Sequence, residues 1–323
     1  MTKARAYTNI ALIKYWGKRS TSAIIPYNNS ISLTLDQFYT ETSVTFTDQT
    51  LAQTADQFYF QNKWQAPTAK MSRVLDLIRQ MAGFNRSAII KSKNFVPTAA
   101  GLASSASAFA ALAAAGSQAA GLTLTSRQLS ILARHGSGSA SRSILGGFVE
   151  WHAGTDDQSS YATNLLDPVP FPIAVIALVV NAAPKKVLST VGMQHSVAHS
   201  PFYPAWVQAA TASLAPMRAA IAAGDITQIG ALAETNAMQM HATTLSADPP
   251  FTYFSPETLA IWQFVQEIRT KGLSCYLTLD AGPNPKLICA RQDVDQIMTQ
   301  LHQVLPNLAG TVCQPGPAVQ IID

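Results

Sequence analysis

From Pro97 to Ser126 the chain carries no charged side chain. An uncharged run of that length either crosses a membrane or lies inside a protein. Its composition separates the two. Most of its residues are Ala, Ser, Gly or Thr, whose small or polar side chains give a weak drive into lipid. The run therefore reads as a loop opening a small-residue helix over about 104–120, packed in a core, with Gly121 as its natural stop. No membrane span is expected.

The whole chain supports that reading. Its 323 residues are 48% hydrophobic and only 12% charged, which suits a globular protein with a large core. Net charge is +4 and no dense Lys/Arg block occurs, so nucleic-acid binding has little support. A mild positive balance suits a small anionic substrate if several bases converge on one pocket. Cys275, Cys289 and Cys313 are odd in number and widely spaced, without a C-x-x-C, and read neither as a disulfide framework nor as a zinc site. Residues 1–7 lead into no long apolar run and resemble no signal peptide, so a cytoplasmic location is expected.

Alternating residues predict strands over 30–35 and 42–47, and helical spacing of Met71, Val74, Leu75, Ile78 and Met81 predicts a helix over 69–81. Further strands are expected over 87–92, 146–151 and 173–180, with a helix from a Ser126 cap to about 135. After Pro184 the pattern turns to long helices over about 204–223, 226–242 and 256–270. Strands over 274–279, 286–290 and 318–322 and a helix over 294–304 close the chain. Strands and helices mix without a regular β-α-β repeat, which predicts an α+β fold. The lobe boundary is expected at 182–186, giving lobes of residues 1–183 and 184–323.

Four stretches carry candidate chemistry. Residues 97–107 (Pro-Thr-Ala-Ala-Gly-Leu-Ala-Ser-Ser-Ala-Ser) form a loop opening a helix, where unpaired N–H groups and small residues admit a phosphate chain. The spacing is not that of a Walker loop, and a capped, tightly packed Ala-rich helix is the plain alternative. Residues 9–19 place Lys14 and Lys18 four apart around Tyr15 and Trp16, either donors to phosphate or a solvated basic edge. In Gly136-Ser137-Gly138-Ser139-Ala140-Ser141-Arg142 a hydroxyl-rich backbone precedes an arginine able to grip a carboxylate; the flanking helix and strand leave no room for a free linker. Asp280, followed by Ala-Gly-Pro, stands at a strand end as either a turn cap or a base facing a cleft.

Together and in this order, N-I-A-x-x-K-Y-W-G-K, P-T-A-A-G-L-A-S-S-A, G-S-G-S-A-S-R-S and D-A-G-P-N resemble the diphosphomevalonate decarboxylases of the GHMP kinase superfamily, nearly end to end. Residues 26–36, 240–243 and 248–250 add to the likeness. The resemblance implies a GHMP kinase-like fold of two lobes around a deep cleft, with the phosphate loop in residues 1–183 and the catalytic acid in 184–323. It also implies ATP-dependent decarboxylation of mevalonate 5-diphosphate to isopentenyl diphosphate, with ADP, phosphate and CO2 as the other products. ATP and Mg²⁺ follow as cofactors and a homodimer as the assembly.

By position, the resemblance makes Asp280, Arg142 and Lys18 the catalytic residues. Asp280 faces the substrate 3-hydroxyl, Arg142 grips its carboxylate, and Lys18 steadies the transferring phosphoryl group. Lys14, Tyr15, Ser137, Ser139 and Ser189 join them as substrate-binding residues. Pro97, Gly101, Leu102, Ala103, Ser104, Ser105 and Ser107 fall to the nucleotide phosphates, Ser104 and Ser105 also to Mg²⁺, and Asn94 to the adenosine. Some bacterial members carry an arginine in the loop matching 189–194, and this chain has none between Arg142 and Arg218. Diphosphate binding must then lean on Lys14, Tyr15 and the serines, or on Lys185 and Lys186. His195 and His199 lack a third metal ligand, His241 reads as a partly buried structural histidine, and Trp206 and Trp262 as core or dimer contacts. The competing readings are a 3-kinase, or a decarboxylase acting on mevalonate or its monophosphate, and a non-catalytic ligand-binding relative.

Overall fold

The computed structural model describes residues 2–95, 104–181, 183 and 186–322. The expected positions Pro97, Gly101, Leu102, Ala103 and Lys185 lie outside them. The first half runs β1 (Thr2–Ile13), β2 (Lys18–Ser20), β3 (Ile25–Pro26), β4 (Ser30–Thr50), β5 (Gln57–Phe60), β6 (Lys63–Gln65), α1 (Ala69–Ala82), β7 (Arg86–Asn94), α2 (Ser104–Ala119) and α3 (Ser126–Gly136). A 3-10 helix, Gly138–Ile144, then leads to β8 (Phe148–Trp151), β9 (Ala162–Leu166) and β10 (Ile173–Val179). The rest comprises α4 (Ser189–His199), α5 (Tyr203–Ala212), α6 (Leu214–Ala223), α7 (Ile226–Leu245), α8 (Pro256–Thr270), β11 (Cys275–Thr278), β12 (Lys286–Ala290), α9 (Val294–Val304), β13 (Ala309–Cys313) and β14 (Gln320–Ile322).

Two sheets organise these elements into the expected α+β fold. The larger follows the order β14-β1-β4-β7-β5-β6, with β8 and β9 branching from β4, and the smaller is β11-β12-β10-β13. Two strands sit away from their place in sequence. β10 pairs with β12 and β13 although it precedes the expected boundary at 182–186, and the C-terminal β14 pairs with β1. An unbroken apolar run such as 173–180 announces a buried strand but not its partners.

The small-residue run does what its composition suggests. α2 packs against β1 and β4, with Ala106, Ala110, Ala111 and Ala113 fully buried. Three cores result. One joins Val44, Val74, Ile78, Ala111 and Leu132 of the larger sheet and α1–α3. Another gathers Ile10, Leu33, Val175, Trp206, Met217 and Met240, and the third joins Ile176, Ile261, Val265 and Leu301. The pairing register of β1 shifts between Tyr7 and Asn9, and its neighbours change there as well. Ala4 and Ala6 pack in the first core, Ile10 and Leu12 in the second.

Several local expectations need correction. The strands expected over 30–35 and 42–47 are one continuous β4. Thr125, not Ser126, caps α3, through a capping box with Gln128. The helix expected over 204–223 breaks at Ser213, just before Pro216, whose ring cannot continue the hydrogen-bond ladder. Residues 189–194, expected as a loop, open α4. Trp206 is buried in a core, and Cys275, Cys289 and Cys313 are buried free thiols.

Glu150 of β8 ties the larger sheet to α6. Its carboxylate is 1% exposed and accepts two bonds from Arg218, at 2.7 and 2.6 Å, and one from Asn29. Burial alone pushes this carboxyl up; the bonds from Arg218 and Asn29 outweigh it and hold it below its ordinary value. Arg218→Met should therefore lower the unfolding free energy by about 2 kcal/mol at neutral pH, less than for a fully buried pair because Arg218 is half-exposed. The loss should shrink as pH falls below 4.5, where the unfolded-state carboxyl is already protonated. Urea denaturation at the two pH values checks both statements.

Candidate active site

A cleft of about 490 Å³ opens where β1, α2, the 136–142 segment, α4 and the exit of β11 meet. Its walls include Asp280, Arg142, Lys18, Lys14, Tyr15, Ser137, Ser139, Ser189, Ser104 and Ser105. Five separated stretches of sequence thus converge on one cavity.

Its centre is an ion pair. Asp280 leaves β11 two residues past the strand end, and Lys14 leaves β1 one residue past Ile13. Lys14 Nζ donates to Asp280 Oδ1 at 2.7 Å and to the Ala11 carbonyl at 2.8 Å. Lys14 is 1% exposed. Burial pulls its ammonium below the usual lysine value, Asp280 opposes that shift, and the charge of Arg142 adds to it. In the structure the Lys14 ammonium is thus engaged by Asp280. The backbone of Lys14 is clamped as well, its N–H donating to Asn236 Oδ1 and its carbonyl accepting from Asn28 Nδ2.

Arg142 is equally enclosed. Its Nη1 donates to Ser30 Oγ at 2.6 Å, while Nε and Nη2 share Asn9 Oδ1 at 3.3 and 3.2 Å. These bonds fix the guanidinium plane beside the cleft. Burial brings its pKa down to about 10, partly offset by Asp280 and Tyr15, so it stays cationic at neutral pH. Asn9 in turn donates to the Ser139 carbonyl and Ser143 Oγ, tying the arginine to the serine segment. Tyr15 stands edge-on to Trp151, and its buried hydroxyl has no partner among the described residues. Gly138 lets this ring in, since an added Cβ would stand 2.8 Å from Tyr15 and Trp151.

At the other end, Ser104 and Ser105 are exposed on the first turn of α2. Hydroxyls run from Ser105 to Ser137 to Ser139 in steps of 3.2 Å. Two expected positions lie elsewhere. Ser107 is fully buried and pairs with Thr40 Oγ1, and Asn94 Oδ1 accepts from the same threonine, so neither lines this cleft. Among the described residues no group of three or more His, Cys, Asp or Glu could cage a metal. Hydroxyls at a helix start and one carboxylate nevertheless fit Mg²⁺, which takes few protein ligands when it binds through phosphate oxygens.

Positive charge comes from a place the motifs do not mark. Lys70, on the first turn of α1, lines the cleft with Lys18. Burial, and then the charges of Lys70 and Arg73, pull the Lys18 ammonium below its ordinary value. A lysine at a helix N-terminus opposes the helix dipole, and the first turn of α1 holds no acid. That misplaced charge is the signal in the sequence. Thr190 of α4 also lines the cleft.

Residues 6–162 match a family model described as the Diphosphomevalonate decarboxylase-like N-terminal domain, and residues 175–315 one described as the Mevalonate 5-diphosphate decarboxylase C-terminal domain. The chain belongs to the diphosphomevalonate decarboxylase family. A diphosphomevalonate decarboxylase of Schizosaccharomyces pombe is 34% identical over 98% of this chain and 86% of its own length. The mevalonate diphosphate decarboxylase of Staphylococcus aureus superposes with a TM-score of 0.93 at 45% identity, covering 100% of this chain and 98% of that one. A solved structure described as MDDEF in complex with MVAPP, AMPPCP and magnesium gives a TM-score of 0.92 at 42% identity, with the same coverage. The fold is thus the GHMP kinase fold of this family.

His195 and His241 both donate to backbone carbonyls. His195 Nε2 donates to the Pro249 carbonyl. His241 is 1% exposed, a fuller burial than expected, and burial pulls its imidazole down to about 4, with Leu279, Lys14 and Asp280 as smaller influences. A folded-state value below the unfolded 6.5 means that the neutral ring stabilises the fold above pH 6.5, and that this is lost as pH falls toward 4. The melting temperature of His241→Gln, which cannot titrate, should fall less steeply between pH 6.5 and 4 than that of the parent. Equal slopes would remove His241 from the acid sensitivity.

Proposed function

We infer that the chain catalyses the ATP-dependent decarboxylation of mevalonate 5-diphosphate, with the Lys14–Asp280 pair at the reacting hydroxyl. The observation that carries this reading is the 2.7 Å ion pair in a cleft that also presents Arg142, Lys18, Lys70 and the start of α2. ATP-dependent decarboxylation in the mevalonate pathway is the activity of the family. The assignment of steps to residues is the proposal.

Asp280 accepts or orients the proton of the 3-hydroxyl as its oxygen attacks the γ-phosphorus. Lys14 holds Oδ1 and so aims the carboxylate. Lys18 and Lys70 steady the anionic phosphoryl groups, and Arg73 adds its charge nearby. Tyr15, Ser137, Ser139 and Ser189 donate to the substrate's diphosphate and its surroundings. Ser104 and Ser105 take the nucleotide phosphates on the α2 N-terminus and would hold Mg²⁺, which neutralises phosphate charge when bound. Once the tertiary oxygen is phosphorylated, the C–O bond breaks and phosphate leaves. The bond to the carboxylate carbon then yields its electron pair to the new double bond and CO2 departs. Arg142, its plane fixed by Asn9 and Ser30, holds the carboxylate anti to the leaving phosphate.

In this reading the chain works as two lobes, residues 1–183 bearing the phosphate loop and 184–323 bearing Asp280. A cytoplasmic homodimer is part of the same proposal; among the described residues no helix is long and apolar enough to cross a membrane.

Incubation with Mg²⁺-ATP and mevalonate, its 5-phosphate or its 5-diphosphate, following ADP and CO2 together, tests the function. Equal release of both from the diphosphate is expected, whereas ADP without CO2 from every substrate would leave a 3-kinase. Asp280→Asn should retain ATP binding and lose turnover by about 10³-fold or more, the scale of a general base. Arg142→Lys should lower kcat by about 10²-fold, because a point charge cannot hold the carboxylate plane; a change confined to KM would reduce Arg142 to an anchor.

A further inference from the structure

One helix touches both halves of the ion pair. α7 packs against β1, which delivers Lys14, and against β11, which delivers Asp280. β11 is an edge strand of the smaller sheet, so its outer backbone groups have no neighbouring strand to pair with. Side chains of α7 satisfy them, together with Arg269 of α8, which donates to the Cys275 carbonyl. Glu234 accepts the Leu277 N–H at 2.7 Å, and His241 Nε2 donates to the Leu279 carbonyl at 3.2 Å, one residue before Asp280. A carbonyl only accepts, so the neutral ring carries its proton on Nε2. Five residues before His241, Asn236 Oδ1 accepts the N–H of Lys14 at 2.8 Å. The approach is close: a Cβ on Gly230 of α7 would stand 2.2 Å from the Tyr276 ring. His241 and Asn236 are both buried.

We propose that His241 and Asn236 are positioning residues for the reaction, fixing from a single helix the Leu279 carbonyl beside Asp280 and the Lys14 amide, and so setting the spacing of the two reacting-site charges. Neither touches substrate. The ion pair forms between chain segments 266 residues apart, and no backbone hydrogen bond links those segments directly among the described residues. α7 is the rigid element between them. The inference rests on the reading of Asp280 as the residue at the hydroxyl.

The test compares His241→Phe, which keeps an aromatic ring and loses the donor, with His241→Gln, which loses the ring and keeps an N–H near the Nε2 position. Steady-state kinetics on Mg²⁺-ATP and mevalonate 5-diphosphate give kcat and both KM values, with Asp280→Asn alongside. Removing one buried bond should lower kcat of His241→Phe by about 10- to 100-fold, with both KM values within about threefold. His241→Gln should recover most of the loss. Asn236→Leu should act in the same way, and the double variant His241→Phe/Asn236→Leu should lose less than the product of the single losses, because both disturb one spacing. Should His241→Phe fail to fold, His241→Asn, whose amide falls short of Leu279, is compared with His241→Gln by the same criterion. Equal losses in the donor-lacking and donor-bearing variants, or a loss carried by KM, overturn the proposal. If Asp280→Asn keeps near-normal turnover, the reading of Asp280 falls instead, whatever His241 does.

Discussion

An ammonium group withdrawn from water must find compensating charge or give up its proton, and Lys14 finds that charge in Asp280 at 2.7 Å. Much of the rest of the structure serves this pair. β1 of the larger sheet brings the lysine, the exit of the smaller sheet brings the aspartate, and the core they share, which joins Ile10 and Leu33 to Val175 and Ile288, holds both sheets at the distance the pair requires. Arg142 sits close enough for its own charge to oppose that of Lys14. Two buried cations therefore share the neighbourhood of one carboxylate, an arrangement short of negative charge. A ligand that brings a carboxylate and several phosphates supplies that charge.

The same economy explains the neutral surroundings. Asn9, Asn28, Asn236 and Ser30 orient the charged groups with uncharged side chains. An amide can fix a direction without adding to an already crowded field, and its hydrogen-bonding groups can serve two neighbours at once. Asn9 does this most fully: its oxygen takes two bonds from Arg142 while its nitrogen reaches Ser139 and Ser143. Arg142 and the serine segment are thereby tied into one unit.

The elements and the site were not equally legible in the sequence. Helices with clear apolar spacing, such as α1 and α9, stand where periodicity places them, because a stripe facing one core leaves a direct trace. The continuity of β4 and the partners of β10 and β14 left none, since long-range pairing depends on what each strand meets. Motif residues found the cleft because their type matches its chemistry: Arg142, Ser137, Ser139, Ser104 and Asp280 all line it. Their division of labour was harder to read. Lys14 and Lys18 look alike in a run of basic and aromatic residues, and only burial separates the ion-paired one from the half-buried one at the mouth. Asn236, His241 and Lys70 were missed as site residues for another reason. They sit on helices whose patterns are otherwise ordinary, and their importance lies in what the fold places opposite them.

Lys70 brings charge to the cleft from a helix that the motifs do not mark. The segment opening α4 carries no arginine, and Thr190 there offers only a hydroxyl. Lys18, Lys70 and Arg73 approach one another closely enough that the other two depress Lys18. Like charges so gathered are unfavourable in the absence of an anion, and a polyphosphate reverses the sign of that energy. Such a cluster is better placed on α1 than on α4. α1 is anchored by Met71, Val74, Leu75 and Ile78 in the first core, whereas α4 buries only Gly192 and Ser196. Repulsion held by a well-packed helix persists until the ligand arrives; on a lightly packed helix it would be relieved by moving the helix.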